Sequence, residues 1–411
     1  MVTALAGQVR LLTSARTDLS GHLASHGPLP PVERFVGEVA QAGLTGRGGA
    51  GFPAARKLLA VLAEPGPAIV VGNAAEGEPA SAKDRWLLHA NPHLVLDGLQ
   101  LAAAATRAAE VYRTPYPTRT CTAACGGPAR AVTGGHRPAP GPTRVGRGQV
   151  RRRTGDRRPP AHRRRAAVAH TRALRIATHG LRGRPTLLHN VESLAHLALI
   201  GRYGAAWFRS AGTVDEPGTM LTTVWPCDGP GRVGEHERGT PLAAVLGPEA
   251  GAAVLISGYH GCWLPAGRAR TLRLSDADLR PHGATVGAGV LAELPPDRCG
   301  LRETARVMRY LSAESAGQCR PCRNGLPRIA GAFTALGDGT AGPAAVADIL
   351  RWSELVVGRG ACAHPDGSMR LVRSALAVFE PETRVHLAGG CTARSSAPFL
   401  PLPAPAFQAS R

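Results

Sequence analysis

The chain has 411 residues, is 44% hydrophobic and carries a formal net charge of +20, a size that divides into two or three domains with buried cores. No apolar run reaches the roughly 18–20 residues of a membrane-spanning helix, and residues 1–31 lack the unbroken apolar stretch of a signal peptide, which predicts a cytoplasmic protein. The charge does not describe a basic face for nucleic acid: between Arg113 and Thr178 sixteen arginines stand against one acid, Asp156, and the rest of the chain carries only about +5.

Taken in order, Val32, Phe35, Val36 and Val39 are spaced for a short helix over 32–42. The glycine-rich stretch Gly43–Pro53 follows and opens a second helix from about Pro53 to Leu62, with the proline near its first position. Ala68–Val71 predicts a short strand that empties into a polar loop, Gly72–Pro79. Asn91 and Pro92 start a helix that continues through Leu94, Leu96, Leu99 and Leu101 to about Val111. This alternation predicts an α/β domain.

Residues 113–178 break the pattern, with one Leu, one Ile, no Phe or Trp, and the runs Arg151–Arg153 and Arg163–Arg165. The stretch reads either as a solvated or disordered linker or as GC-rich sequence translated out of frame. Order resumes at Gly180–Ser193, leading to an amphipathic helix over Leu194–Tyr203. Thr219–Trp225, Val254–Trp263 and Ala284–Leu291 predict strands of a small α+β domain. Four helices are expected near 301–313, 323–336, 342–357 and 367–380, forming a small bundle, and Ser395–Arg411 has the composition of a disordered tail.

Three stretches can carry chemistry. Gly46–Gly51 satisfies G-x-G-x-x-G, but a helix precedes it where a Rossmann fingerprint needs a strand, so the dinucleotide fold is rejected. The physics of the glycines survives: they let backbone N–H groups approach a phosphate, with Arg47 and Lys57 to neutralise its charge. Lys57 and Lys83 are the chain's two lysines among 49 basic residues, and a compact ammonium suits a phosphate grip. Asn73, Glu76 and Glu78 leave the end of a strand, where α/β ligand sites sit, while Lys83, Asp84 and Arg85 also read as an ordinary solvated cluster. Cys319 and Cys322 form a C-x-x-C before a helix, with Cys362 further on, a pattern suited to a metal or a redox disulfide. A cubane iron–sulfur cluster takes four ligands, and Cys299, Cys391 and His364 are candidates for the fourth. Cys227 and Cys262 read as small core residues.

In this order the stretches resemble the NADH-binding flavoprotein (F-type) subunit of respiratory NADH:quinone oxidoreductase and its hydrogenase and formate dehydrogenase relatives. Leu44–Pro53 is similar to the family's first glycine-rich motif, Asn73–Arg85 to its N-A-D-E-G-E-P…K-D-R motif, Pro185–Ser193 to P-T-x-x-N-N-V-E-T, and Glu314–Gly325 to E-S-C-G-x-C-x-P-C-R-x-G. The resemblance implies an α/β flavin/NADH-binding domain (1–112 and 180–212), a ubiquitin-like β-grasp domain of the soluble-ligand-binding (SLBB) type (213–295), and a C-terminal four-helix bundle (296–385) holding a 4Fe–4S cluster. Residues 113–179 form an anomalous segment and 386–411 a disordered tail.

The same resemblance implies FMN as acceptor of hydride from NADH. It places Gly46, Arg47, Gly48, Gly49, Ala50, Gly51, Phe52 and Lys57 around the cofactors, with Phe52 stacking on NADH. Asn73, Glu76 and Glu78 would face flavin and ribose, and His189, Asn190 and Ser193 the flavin phosphate. Cys319, Cys322 and Cys362 would hold the cluster, and a separate ferredoxin-like or thioredoxin-like iron–sulfur subunit would receive the electrons at the edge of a membrane complex. Ala75 replaces the family's Asp, Ala82 an aromatic, and Ala316 the first cluster cysteine, while His189 and Ser193 stand for Asn and Thr. The family's G-E-E-T/S-A loop has no counterpart in 113–178, although that stretch has roughly the expected length, which favours compensating frameshifts over an inserted linker. The other expectation is therefore a catalytically impaired homologue that keeps the fold without flavin or cluster.

Overall fold

Parallel strands need helical crossovers, and the short apolar runs between glycine turns supply them. The fold is taken from a computed structural model that describes residues 10–12, 18–114 and 175–403. Most of the arginine-rich segment, and with it Cys121 and Cys125, lies outside the described residues. Two compact units emerge, one formed by residues 1–77, 82–222 and 233–240, the other by 78–81, 223–232 and 241–411.

The first unit opens with α1 (Leu19–His26), capped by the Asp18 carboxylate, then α2 (Phe35–Ala42) and α3 (Ala54–Leu62). Strand β1 (Ile69–Asn73) is buried along its whole length, as the central strand of a parallel sheet must be. Helices α4 (Lys83–Ala90) and α5 (Pro92–Ala105) lead to β2 (Glu110–Arg113), and the short α6 (Ile176–His179) to β3 (Thr186–Asn190). The strand order is β2-β1-β3, all parallel, with Ile69 opposite both Glu110 and Thr186. Helix α7 (Val191–Arg209) follows directly, broken at Gly204, which takes φ 82°. Strands β4 (Thr219–Trp225) and β5 (Arg232–Glu237) follow α7; residues 219–222 and 233–237 of them belong to this unit.

Three details differ from the sequence reading. The helix expected to run to Val111 stops at Ala105, because Val111 is needed as an edge-strand residue opposite Val70. Residues 83–90, to which no element was assigned, form a helix, and Pro185–Ser193 contains a strand before its helix.

In the second unit the end of β4 pairs in parallel with β8 (Val290–Leu294) through Thr223 and Val290. Strand β6 (Ala253–Ile256) is antiparallel to β8 and to β7 (Cys262–Pro265). Short helices at 242–246, 266–270 and 276–279 connect these strands. The last expected strand, 284–291, begins later because Gly287 and Gly289 take φ 57° and 72° and form a turn.

Among the described residues five helices follow, not four. Numbered on from α7 and leaving the three connectors unnumbered, they are α8 (Gly300–Ala313), α9 (Leu326–Gly337), α10 (Ala345–Val356), α11 (His364–Val378) and α12 (Glu380–Leu387). The extra one was hidden because Glu380, Pro381, Glu382 and Arg384 leave it little apolar signal.

The disordered tail is also corrected up to residue 403. Leu400 is 1% exposed and its N–H reaches Glu303 at 2.9 Å, the Tyr259 hydroxyl donates to the Pro401 carbonyl, and Arg394 and Ser395 N–H groups bond the Asp297 carbonyl. Residues 404–411 lie outside the described part. No described helix is long and apolar enough to cross a membrane.

The closest approach in the first unit is between α5 and α7, where a Cβ on Gly98 would lie 1.9 Å from the Leu194 carbonyl oxygen. Gly98→Ala is therefore expected to lower stability by about 1–3 kcal/mol, outweighing a helix-propensity gain of about 1 kcal/mol. Urea unfolding of both forms measures it, and an unchanged midpoint contradicts this packing.

Candidate functional site

Helix α2 ends on Gly43 at φ 70°, the left-handed conformation that lets the chain turn away. The loop that follows is closed by two backbone bonds, Gly46 N–H to the Phe52 carbonyl (2.9 Å) and Ala54 N–H to the Leu44 carbonyl (2.8 Å). Gly49 and Gly51 take φ 100° and 62°, which side chains rarely adopt. A Cβ on Gly48 would come 3.2 Å from the Asn190 Cβ, so the loop lies against the start of α7. Ala50, Gly51 and Phe52 are exposed, and the Arg56 guanidinium stands 5.7 Å from the Phe52 ring centre.

Arg47 does something other than neutralise a phosphate. Its side chain is turned into the unit, 4% exposed, donating to the Thr219 carbonyl at 2.9 Å and the Thr45 hydroxyl at 3.0 Å. Its N–H bonds the Ser193 hydroxyl at 2.9 Å, so Ser193 anchors the loop. Lys57 remains beside the glycines: its ammonium bonds the Leu188 carbonyl at 3.3 Å and would meet a Cβ on Gly46 at 4.0 Å. Burial holds its pKa below the usual lysine value.

Strand register sets Gly72 beside His189 and Asn73 beside Asn190, at the carboxyl ends of β1 and β3 where ligands of open parallel sheets gather. Asn73 Oδ1 accepts from Ala75 N–H at 3.1 Å. Glu76 accepts from the N–H groups of Asp84 (3.0 Å) and Arg85 (3.4 Å), satisfying donors at the start of α4 that no helix carbonyl can reach. In the second unit Glu78 accepts from Tyr259 N–H at 3.1 Å. Asn73 and Glu76 shape the first unit's loop after β1.

The solvated reading of Lys83 and Asp84 is overturned, for they are 2% and 3% exposed. The Lys83 ammonium lies 2.7 Å from Asp84 Oδ1 and 2.7 Å from Glu192 Oε2. Asp84 Oδ2 accepts from Asn190 Nδ2 at 2.5 Å, Asn190 Oδ1 caps α7 by accepting from Glu192 N–H (2.9 Å), and Glu192 Oε1 accepts from Leu221 N–H (2.8 Å). Burial pulls the Lys83 pKa down, but the two carboxylates more than offset it and hold the ammonium above its usual range. Sequence reasoning missed Glu192, whose only signal was an acid in the first turn of an otherwise apolar helix.

His189 is the outlier. It is 1% exposed, and neither ring nitrogen has a hydrogen-bond partner among the described residues. Burial, reinforced by Lys57, pushes its pKa down from 6.5 to about 3, so the imidazole is neutral.

The described cysteines belong to the second unit. Cys322 sits in a single π-helical turn, Pro321–Gly325, that opens α9, a distortion common at functional sites. Burial raises the Cys319 thiol pKa, but bonds from the Ala361 and Cys322 backbone N–H groups outweigh this and hold it below the usual value. That brings Cys319 to the Gly358–Ala363 loop carrying Cys362. His364 is engaged on both nitrogens, with His260 Nε2 and the Leu311 carbonyl, each at 2.9 Å. Cys299 and Cys391 lie together with Glu382 and His386, their ligand atoms within 4.8 Å of one another. Cys299 caps the N-terminus of α8, a helix of 14 residues and about 21 Å, and the C-x-x-C follows beyond the other end of that helix in the chain. Cys262 is 2% exposed and Cys227 half-buried, the first matching a core role.

Comparison with known proteins matches this arrangement. The family described as Nuo51 FMN-binding domain matches residues 39–114, and the NADH-ubiquinone oxidoreductase-F iron-sulfur binding region matches 302–386. Over most of its length the chain is similar to the NADH-binding flavoprotein subunits of NADH:quinone oxidoreductases. It is 29% identical over 404 residues to the F-type subunit of the NADH-quinone oxidoreductase of Streptomyces coelicolor, covering 87% of this chain and 84% of that one. With the mitochondrial NADH dehydrogenase [ubiquinone] flavoprotein 1 of Dictyostelium discoideum it shares 27% over 387 residues, 84% of this chain and 77% of the relative. In fold it is similar to a chain of the NAD+-reducing nickel–iron hydrogenase in the air-oxidized state, with TM-score 0.70 and 23% identity, over 90% of this chain and 67% of that one.

The His189 shift has a testable sign. Between its folded value of about 3 and its usual value of 6.5 only the unfolded chain takes the proton. The stability it contributes is therefore complete above 6.5 and lost progressively as pH falls toward 3. From pH 6.5 to about 5 the loss is about 2 kcal/mol. His189→Asn is expected to remove this share, leaving a shallower acid limb in urea unfolding across pH; a superimposable limb contradicts a buried neutral imidazole.

Proposed function

We propose that this chain is the flavoprotein subunit of an NADH dehydrogenase-type oxidoreductase. The observation that carries the reading is the exposed glycine-rich loop, with left-handed Gly49 and Gly51, closed on the carboxyl ends of β1 and β3 beside Lys57 and the buried His189. A backbone open at its glycines and a neighbouring ammonium fit the phosphate end of FMN. FMN, when bound, accepts hydride from NADH and supplies electrons singly to an iron–sulfur centre.

Gly46–Phe52 would receive the cofactors, with Phe52, which is 45% exposed, offering its ring to the nicotinamide dinucleotide. Lys57 would balance the phosphate charge, and His189 would present a neutral imidazole to the flavin side. Asn73, Glu76 and Glu78 would define the ribose-facing loop through the bonds that fold it, and Asn190 and Ser193 would hold the loop and helix in register. Cys319, Cys322 and Cys362 would supply three thiolates to a 4Fe–4S cluster, and the lowered Cys319 pKa favours the ligating form. Ala316 leaves the fourth corner without a protein thiolate.

The mixed sheet and connectors over 223–294 suit the soluble-ligand-binding β-grasp type, and the helices from Gly300 onward suit the cluster-bearing bundle. A separate ferredoxin-like or thioredoxin-like iron–sulfur subunit would accept the electrons, with the chain peripheral to a membrane complex.

A second reading, a catalytically impaired homologue, is favoured by Ala75, Ala82 and Ala316 and by the absent G-E-E-T/S-A loop. One experiment divides them. The purified chain, reconstituted with FMN under anaerobic conditions, is expected to show flavin absorbance that NADH bleaches. Protein that stays colourless after reconstitution overturns the oxidoreductase reading in favour of the second.

A further inference from the structure

Four ligand-bearing side chains outside the C-x-x-C converge in the helical region. Cys299 Sγ, His386 Nε2, a Glu382 carboxylate oxygen and Cys391 Sγ all lie within 4.8 Å of one another. Around a zinc ion with ligand distances of about 2.0–2.3 Å, tetrahedral ligand atoms stand about 3.3–3.8 Å apart, so shifts of about 1 Å close the set. We propose that these residues form a mononuclear Zn2+ site of the structural, closed type, separate from the three-cysteine cluster site and independent of whether flavin binds.

The surroundings are those of a metal site. His386 is fully buried and its Nδ1 donates to the Leu336 carbonyl at 3.0 Å. That bond fixes the tautomer and leaves the Nε2 lone pair toward Cys299 Sγ (3.4 Å) and Glu382 Oε1 (3.0 Å). A histidine held by a backbone carbonyl on its other nitrogen is the usual outer-shell arrangement of a zinc ligand. Without a metal, an imidazole nitrogen and a carboxylate oxygen face each other across 3.0 Å, and a proton has to sit between them. A dication removes that need.

Glu382 and His386 are one helical turn apart on α12, which puts both on one face. Glu382 is itself held by Thr392, through its N–H at 3.0 Å and its hydroxyl. Cys299 sits at the N-terminus of α8 and its sulfur accepts from the Arg302 N–H at 3.4 Å; in the metal-free protein burial, with Cys391 and Glu382 nearby, pushes its thiol pKa up. Cys391 follows the Gly389–Gly390 turn and is half-buried, which leaves an entry path. On binding, each thiol releases its proton to solvent and the sulfur donates its electron pair to zinc; no oxidant is needed. The site would tie the start of the helical region to the strap after α12, whose Arg394 and Ser395 bond the Asp297 carbonyl.

The test uses the full chain carrying Cys319→Ser, Cys322→Ser and Cys362→Ser, titrated anaerobically with Co2+. One equivalent is expected to bind, with thiolate-to-cobalt charge transfer and the intense visible bands of a tetrahedral ion, and Zn2+ is expected to displace it. Adding Cys391→Ser, or separately His386→Gln, should weaken cobalt binding beyond the about 10–100-fold that loss of an outer-shell partner costs, with circular dichroism confirming that each variant is folded. The same loss is expected in the otherwise wild-type chain. Cobalt bands that survive both substitutions, no stoichiometric binding to the folded parent, or a Cys299–Cys391 disulfide in anaerobically purified protein would each overturn the proposal.

Discussion

An ammonium buried to 2% exposure keeps its charge only if carboxylates replace the water it has lost, and Lys83 has two of them at 2.7 Å. The rest of the first unit's site hangs from this contact. Asp84 hands it to Asn190, which caps α7; Glu192 hands it to Leu221 at the start of β4; and one residue along α7, Ser193 receives the Arg47 N–H and fixes the glycine-rich loop. The three family-like stretches around residues 46, 83 and 190 are thus one polar network with a shared charge balance.

This network changes what the matching residues do. Several side chains expected to grip a cofactor instead shape the loops that would surround it. Arg47 bonds carbonyls, Glu76 satisfies the N-terminus of α4, and Asn190 and Ser193 brace α7 and the loop. What stays open toward a ligand is glycine backbone, the Phe52 ring and the Lys57 ammonium. His189 fits neither group: its buried imidazole has no hydrogen-bond partner among the described residues.

The α/β order, helices α2, α3 and α5 and the strand at 69 were legible from apolar spacing and from Gly43, Pro53 and Pro92. Strand β2 was not, because Glu110–Arg113 is a half-exposed edge with only Val and Tyr to mark it. Lys83 and Asp84 looked solvated because charge in sequence carries no sign of burial, and their partner Glu192 lies more than a hundred residues away. The last helix and the pinned tail were missed for a related reason: Glu303 and Tyr259, which hold Leu400 and Pro401, are distant in sequence. Cys299, Glu382, His386 and Cys391 follow no ligand spacing a motif would register, since Cys299 and Cys391 meet only once five helices have folded between them.

Lys83→Met tests the central claim most directly. It removes the cation and leaves two carboxylates buried, and urea unfolding of the full chain is expected to show the first unit's transition destabilised by about 3–5 kcal/mol. A variant within about 0.5 kcal/mol of the wild type, the range of ordinary surface substitutions, would contradict the account of a site built on this buried ion triad.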